Sequence, residues 1–122
     1  MGEKPALKGW AAAALIAGLA ACASMPPPHQ QMGAARAMVA QAHTVAAQDA
    51  PLELSTAQTK LARAEEAMKR EDYVNARILA EQAEVDAKYA WTLAENARAQ
   101  RASAEVNQGI NALRQELERR GQ

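Results

Sequence analysis

The 122-residue sequence has no phenylalanine, and its only aromatic residues are Trp10, Trp91, Tyr73 and Tyr89. With so few large rings it cannot build a thick core of bulky side chains. It has one cysteine, Cys22, which excludes a disulfide framework. Neither sign of charge dominates, since 14 Lys and Arg balance 14 Asp and Glu. No bulk field therefore points to nucleic acid or to an acidic membrane surface. The longest apolar run, Trp10 to Ala21, has 12 residues, whereas a membrane-spanning helix needs ~20. What the chain has in quantity is alanine, 32 residues of it. Alanine loses no side-chain entropy in a helix and is the best intrinsic helix former, so the expectation is an all-α fold.

The apolar run follows a start that carries Lys4 and Lys8, and its length suits the apolar region of a signal peptide. Leu19-Ala20-Ala21-Cys22 comes directly after. This stretch resembles the lipobox of bacterial lipoproteins. The resemblance implies a diacylglycerol thioether on Cys22, cleavage between Ala21 and Cys22, and acylation of the new amine. Two other readings stand beside it: an ordinary buried cysteine, or Ala21-Cys22-Ala23 as a plain signal-peptidase site. With the lipobox, residues 1–21 are a signal peptide and the partner at Cys22 is a membrane. Two acyl chains suffice for stable anchoring where one is marginal. Ala23 stands where an aspartate would favour inner-membrane retention, so the resemblance implies the outer membrane, facing the periplasm. Removal of Glu3, Lys4 and Lys8 leaves a formal charge of about −1, which again favours no charge-driven partner.

Residues 22–31 contain Pro26-Pro27-Pro28, which favours polyproline II and reads as a stiff spacer. A helix is expected from Met32 to Gln48, with Ala35, Met38, Ala42 and Val45 on one face. Pro51 disfavours helix at Ala50 and suits the first turn of the next helix. That second helix is expected over Pro51 to Lys69, with the stripe Leu54, Ala57, Leu61, Ala64 and Met68. Glu65 and Lys69 are placed to pair at i, i+4. The break falls at Arg70-Glu71-Asp72, with Asp72 as N-cap of a third helix running from Tyr73 to about Arg119. Ala76, Ala80, Ala83, Ala87, Ala90, Ala94 and Ala97 recur at steps of four and three. Such a seam lets helix backbones approach closely, and it is expected to face the second helix in an antiparallel hairpin. Ile78, Val85 and Tyr89 form another stripe, expected to take the first helix.

Residues 32–100 thus form the helical domain, with 101–122 as a helical extension. In the extension Val106, Ile110, Leu113 and Leu117 line up with Ala99, and Gly109 interrupts at a cost of ~1 kcal/mol against alanine. The expectation is an amphipathic tail covered by the first helix; the alternative is a coiled-coil arm. Tyr89 and Trp91 lie about 200° apart on a helix, so one packs and the other is exposed. Trp91, Ile110, Leu113 and Leu117 are the candidate partner-binding residues.

No catalytic grouping emerges. His29 and His43 lack a second ligand at metal spacing, and Ser24, Ser55 and Ser103 have no base signature. The acidic pairs read as solvated helix faces rather than acid–base dyads in a cleft. No phosphate loop or base-stacking platform occurs. The expectation is a non-enzyme with no cofactor, no metal, no nucleic acid and no small-molecule substrate.

The run "PLELSTAQTKLARAEEAMKREDYVNARILAEQAEVDAKYAWTLAENAR" resembles the domain of unknown function 4398, found in bacterial outer-membrane lipoproteins. The resemblance rests on Pro51, Ala57, Leu61, Ala64, Asp72-Tyr73, Ala76, Leu79-Ala80-Glu81, Ala83, Asp86-Ala87 and Ala90, and covers roughly residues 30–100. The family usually has glycine before the Asp-Tyr pair; Glu71 stands there, which implies a less sharp turn. The hairpin is also similar to one tetratricopeptide unit, although such units stabilise one another by stacking. The resulting expectation is a non-catalytic, lipid-anchored outer-membrane lipoprotein acting as a helical interaction or structural module of the cell envelope, with an envelope protein as partner. A pilotin-like adaptor for a secretion or pilus assembly is the alternative.

Overall fold

The computed structural model describes residues 25–121. They form three helices in sequence: α1, His29–Asp49; α2, Pro51–Lys69; and α3, Tyr73–Arg120. The fold is all-α, with the expected hairpin, an added N-terminal helix and a long C-terminal helix. Helix α1 begins three residues before the expected start. Pro28 caps it, accepting a hydrogen bond from the Met32 amide at 3.0 Å. Proline is tolerated there because a first-turn N–H has no intrahelical partner.

A single residue, Ala50, separates α1 from α2, with φ −146° and ψ 55°. Its amide donates to the Ala46 carbonyl and its carbonyl accepts from Leu54, so both helix ends are tied to it. Pro51 then supplies the first residue of α2 with φ already set for a helix.

The second turn ends α2 in a Schellman motif. The Asp72 amide donates to the Ala67 carbonyl at 2.9 Å, and the Glu71 amide to Met68 at 3.1 Å. Glu71 takes φ 60°, the left-handed conformation normally left to glycine. The turn is therefore as sharp as a glycine would make it, contrary to the expectation from the sequence. Asp72 caps α3 as expected, accepting from the Asn75 amide at 3.3 Å and from Asn75 Nδ2 at 2.6 Å.

The three helices run up, down and up. Met32 and Ala35 of α1 meet Ala80 and Ala83 of α3, while Ala42 and Ala46 join Ala87, Ala90 and Ala94. Hence α1 is parallel to α3 and antiparallel to α2. The alanine seam of α3 serves both neighbours: Leu54 and Ala57 of α2 share the Ala87–Ala94 cluster with α1. This overturns the assignment of Ile78, Val85 and Tyr89 to α1, since all three are exposed. The face that α1 buries is Met32, Ala35, Val39, Ala42 and Ala46, with Met38 and Val45 at its edge. On α2, Ala67 joins Leu54, Ala57 and Ala64 in the interior, and Leu61 and Met68 are half-buried.

Each interface carries at least one ion pair between helices. Arg36 reaches Glu65 at 2.8 Å across α1 and α2, and Lys60 reaches Asp86 at 2.6 Å across α2 and α3. Arg101 forks onto Asp49 at 2.6 and 2.8 Å across α1 and α3. Glu65 thus turns to α1, and the expected pairing with Lys69 gives way to Glu66 with Arg70. Exposed pairs contribute at most ~1 kcal/mol each.

Candidate interaction surface

The bundle ends where α1 ends. Asp49, whose side chain is 10 % exposed, meets both Arg98 and Arg101. Arg98 also approaches the Val45 carbonyl at 3.5 Å, bringing positive charge to the negative end of the α1 dipole. The Arg101 hydrogen bonds hold the Asp49 carboxyl below its ordinary value, against the opposing effect of burial, with the Arg101 and Arg98 charges adding to the lowering. The same contact raises Arg101. Asp72 is also held low, by its side-chain and backbone hydrogen bonds from Asn75.

Beyond this clasp α3 continues alone. Every described residue from Ala102 onward is exposed except the half-buried Glu116. The expected cover from α1 does not exist, because α1 stops at Asp49. The helix passes through Gly109 without a break, and no neighbour lies near that position. About 19 residues therefore project as an arm, roughly 28 Å at ~1.5 Å per residue. At the other end of the molecule, Met25 to Pro28 line a shallow depression with Gln31 and Arg77. The chain enters the bundle beside the start of α3 and the arm leaves from the opposite end.

Ile110, Leu113 and Leu117 stand out on this arm with Val106; Leu113 is 67 % and Leu117 70 % exposed. Trp91 does not join them. It is half-buried against the Ala87–Ala94 cluster, and Tyr89 is the exposed ring of the two. Tyr89 instead belongs to the arm's own face. Val85, Tyr89, Thr92, Asn96, Ala99, Ser103, Val106, Ile110, Leu113 and Leu117 follow one another at steps of four and three. The stripes on the two halves of α3 are one face, placed roughly opposite the alanine seam. The signal was present in the sequence but hidden by the polar residues at its middle.

Along this face two depressions open between α2 and α3. One, of about 350 Å³, is lined by Lys60, Ile78, Glu81, Gln82, Val85 and Asp86. The next, of about 200 Å³, is lined by Glu53, Thr56, Asp86 and Tyr89. His29 and His43 are both exposed on α1, and among the described residues no three His, Cys, Asp or Glu side chains cluster at metal-binding range. No described helix is long and apolar enough to cross a membrane. Cys22 and the lipobox residues Leu19, Ala20 and Ala21 lie outside the described residues.

The family whose description reads "Domain of unknown function (DUF4398)" matches residues 30–106. No curated protein and no solved structure matches the chain.

Proposed function

From the premise that the chain belongs to the DUF4398 family, we propose that it is a non-catalytic, lipid-anchored module of the bacterial cell envelope, tethered through Cys22 to the outer membrane and facing the periplasm. The observation that carries this reading is Leu19-Ala20-Ala21-Cys22, set between a 12-residue apolar run and the Pro26-Pro27-Pro28 spacer. The chemistry it implies needs the thiol as nucleophile toward a lipid donor, and small flanking residues so that an extended backbone fits the processing protease. The spacer is short: seven residues from Cys22 to Pro28 reach about 22 Å in polyproline II. The start of α3 would therefore lie close to the lipid surface. The arm of α3, leaving from the other end, is the surface offered to an envelope protein. No observation favours the pilotin-like role over this one.

The test is metabolic labelling with a clickable palmitate, comparing the parent chain with Cys22→Ser. The expected result is label on the parent and none on the variant. An unlabelled parent recovered with its thiol free would remove the tether and the address together.

A further inference from the structure

We infer that the exposed face of α3 docks a second copy of the same chain in antiparallel fashion, so that the arm of each copy lies against the Val85–Thr92 surface of the other. This goes beyond the tethered-module reading; in two tethered copies the starts of α3 lie at opposite ends of the pair, so the paired helices run along the lipid surface rather than away from it.

The face has the layout of a coiled-coil seam. With Tyr89, Asn96, Ser103, Ile110 and Leu117 at the a positions, Val85, Thr92, Ala99, Val106 and Leu113 fall at d. From Val85 to Leu117 the seam extends about 48 Å. Its outer thirds are apolar, and its middle, Thr92 to Ser103, is small or polar. A two-fold axis near residue 101 brings each apolar third onto the other. Leu117 meets Val85 of the second copy, Leu113 meets Tyr89, and Ile110 meets Thr92. Val85 and Tyr89, 63 % and 57 % exposed in the single chain, are then covered.

A parallel pair would also bring apolar residues together, and the flanking charges decide between the two. In the parallel register the flanking positions match Lys88 with Leu93, Glu95 with Gln100, Gly109 with Arg114 and Glu116 with Gly121. No opposite charges meet. In the antiparallel register Glu116 faces Lys88, and Arg114 faces Asp86, each twice by symmetry. Arg114 also arrives beside the depression that Glu53 and Asp86 line. Lys88 and Asp86 already have partners within the chain, Glu84 and Lys60, and Glu116 is held by Arg119 and Arg120, so the new pairs share charge rather than create it. Such pairs select an orientation more than they add affinity, while the leucines and isoleucine supply the burial.

The geometry permits an unambiguous test. Positions 85 and 117 lie on one continuous helix, too far apart to touch within a chain, so any disulfide between them joins two chains. The full chain, carrying Cys22→Ser to remove the competing thiol, is prepared in detergent micelles with Val85→Cys and Leu117→Cys together and singly. Mild oxidation of the double variant is expected to give a reducible dimer whose linked peptides join 85 to 117. Adding Leu113→Asp is expected to raise the concentration needed for that dimer about a hundredfold, since two leucines per dimer lose their burial. Linked peptides in the double variant that join 85 to 85 and 117 to 117, in place of 85 to 117, would mean a parallel pair and overturn the inference. A monomer by sedimentation, with no 85–117 link, would overturn it as well. Because Cys22 is replaced throughout, neither outcome bears on the lipid tether.

Discussion

Ala87→Leu probes the seam at a fully enclosed point. Ala87 is fully buried in a cluster that draws Val39, Ala42, Ala46 and Ala50 from the α1 side and Leu54 and Ala57 from α2. Three added carbons have no space there unless two helices move outward. Leucine is nearly as good a helix former as alanine, so any large loss comes from packing and not from propensity. Overpacking of a tight core costs ~1–3 kcal/mol. For a domain of this size that lowers the melting temperature by roughly 4–8 °C per kcal/mol. Ala104→Leu is the control: the residue is exposed on the arm and lies off the apolar face. Circular dichroism melts of parent and both variants suffice. The expectation is a drop of about 5–20 °C for Ala87→Leu and a change within ~0.5 kcal/mol for Ala104→Leu. Equal melting temperatures for all three proteins would refute the close approach of the helices at the seam.

Two further outcomes follow from the turn and the clasp. Glu71→Gly removes the left-handed strain at φ 60° and should stabilise the chain by about 0.5–1 kcal/mol after the greater unfolded-state entropy of glycine is counted; a thermal melt reads this as a rise of a few degrees, and a fall would mean that the Glu71 side chain contributes more than its backbone costs. Asp49→Asn removes a carboxylate whose folded-state value is held below 3.8. A lowered carboxyl stabilises the fold above its ordinary value and loses that contribution as pH falls through the folded one, so parent and variant should differ at neutral pH and converge as acid takes the pH down through the lowered folded-state value, in melts taken across a pH series.

Much of the architecture was legible because alanine periodicity and turn chemistry are local. Pro51 and the Arg70-Glu71-Asp72 break delimit α2 in both sequence and structure, and Asp72 caps α3 as its carboxylate dictates. The seam from Ala76 to Ala94 was readable from its spacing alone. Which helix covers which stripe was not readable, because periodicity defines a face without naming its neighbour. Ile78, Val85 and Tyr89 are larger than the alanines beside them, yet small side chains won the interior, since only they let α1 and α2 approach α3 together. Glu65 has a lysine four residues on, but Arg36, 29 positions earlier in the chain, takes it. The clasp of Asp49 by Arg98 and Arg101 is a contact across some 50 residues, and no local signal marks it. Trp91, a candidate contact in the sequence, lies half-buried at the edge of the Ala87–Ala94 cluster.

Met32 is the largest side chain that the bundle buries completely, and this shapes how the protein responds to temperature. Heat-capacity change on unfolding scales with the apolar area that water newly wets, and globular proteins average ~12–15 cal/mol/K per residue. An interior of methyl groups wets less per residue, and in the single chain the arm wets almost nothing further. A shallow stability curve is the expected consequence, with a weak urea slope and little loss on chilling, so that a thin interior of modest strength keeps nearly the same margin across a wide span of temperatures.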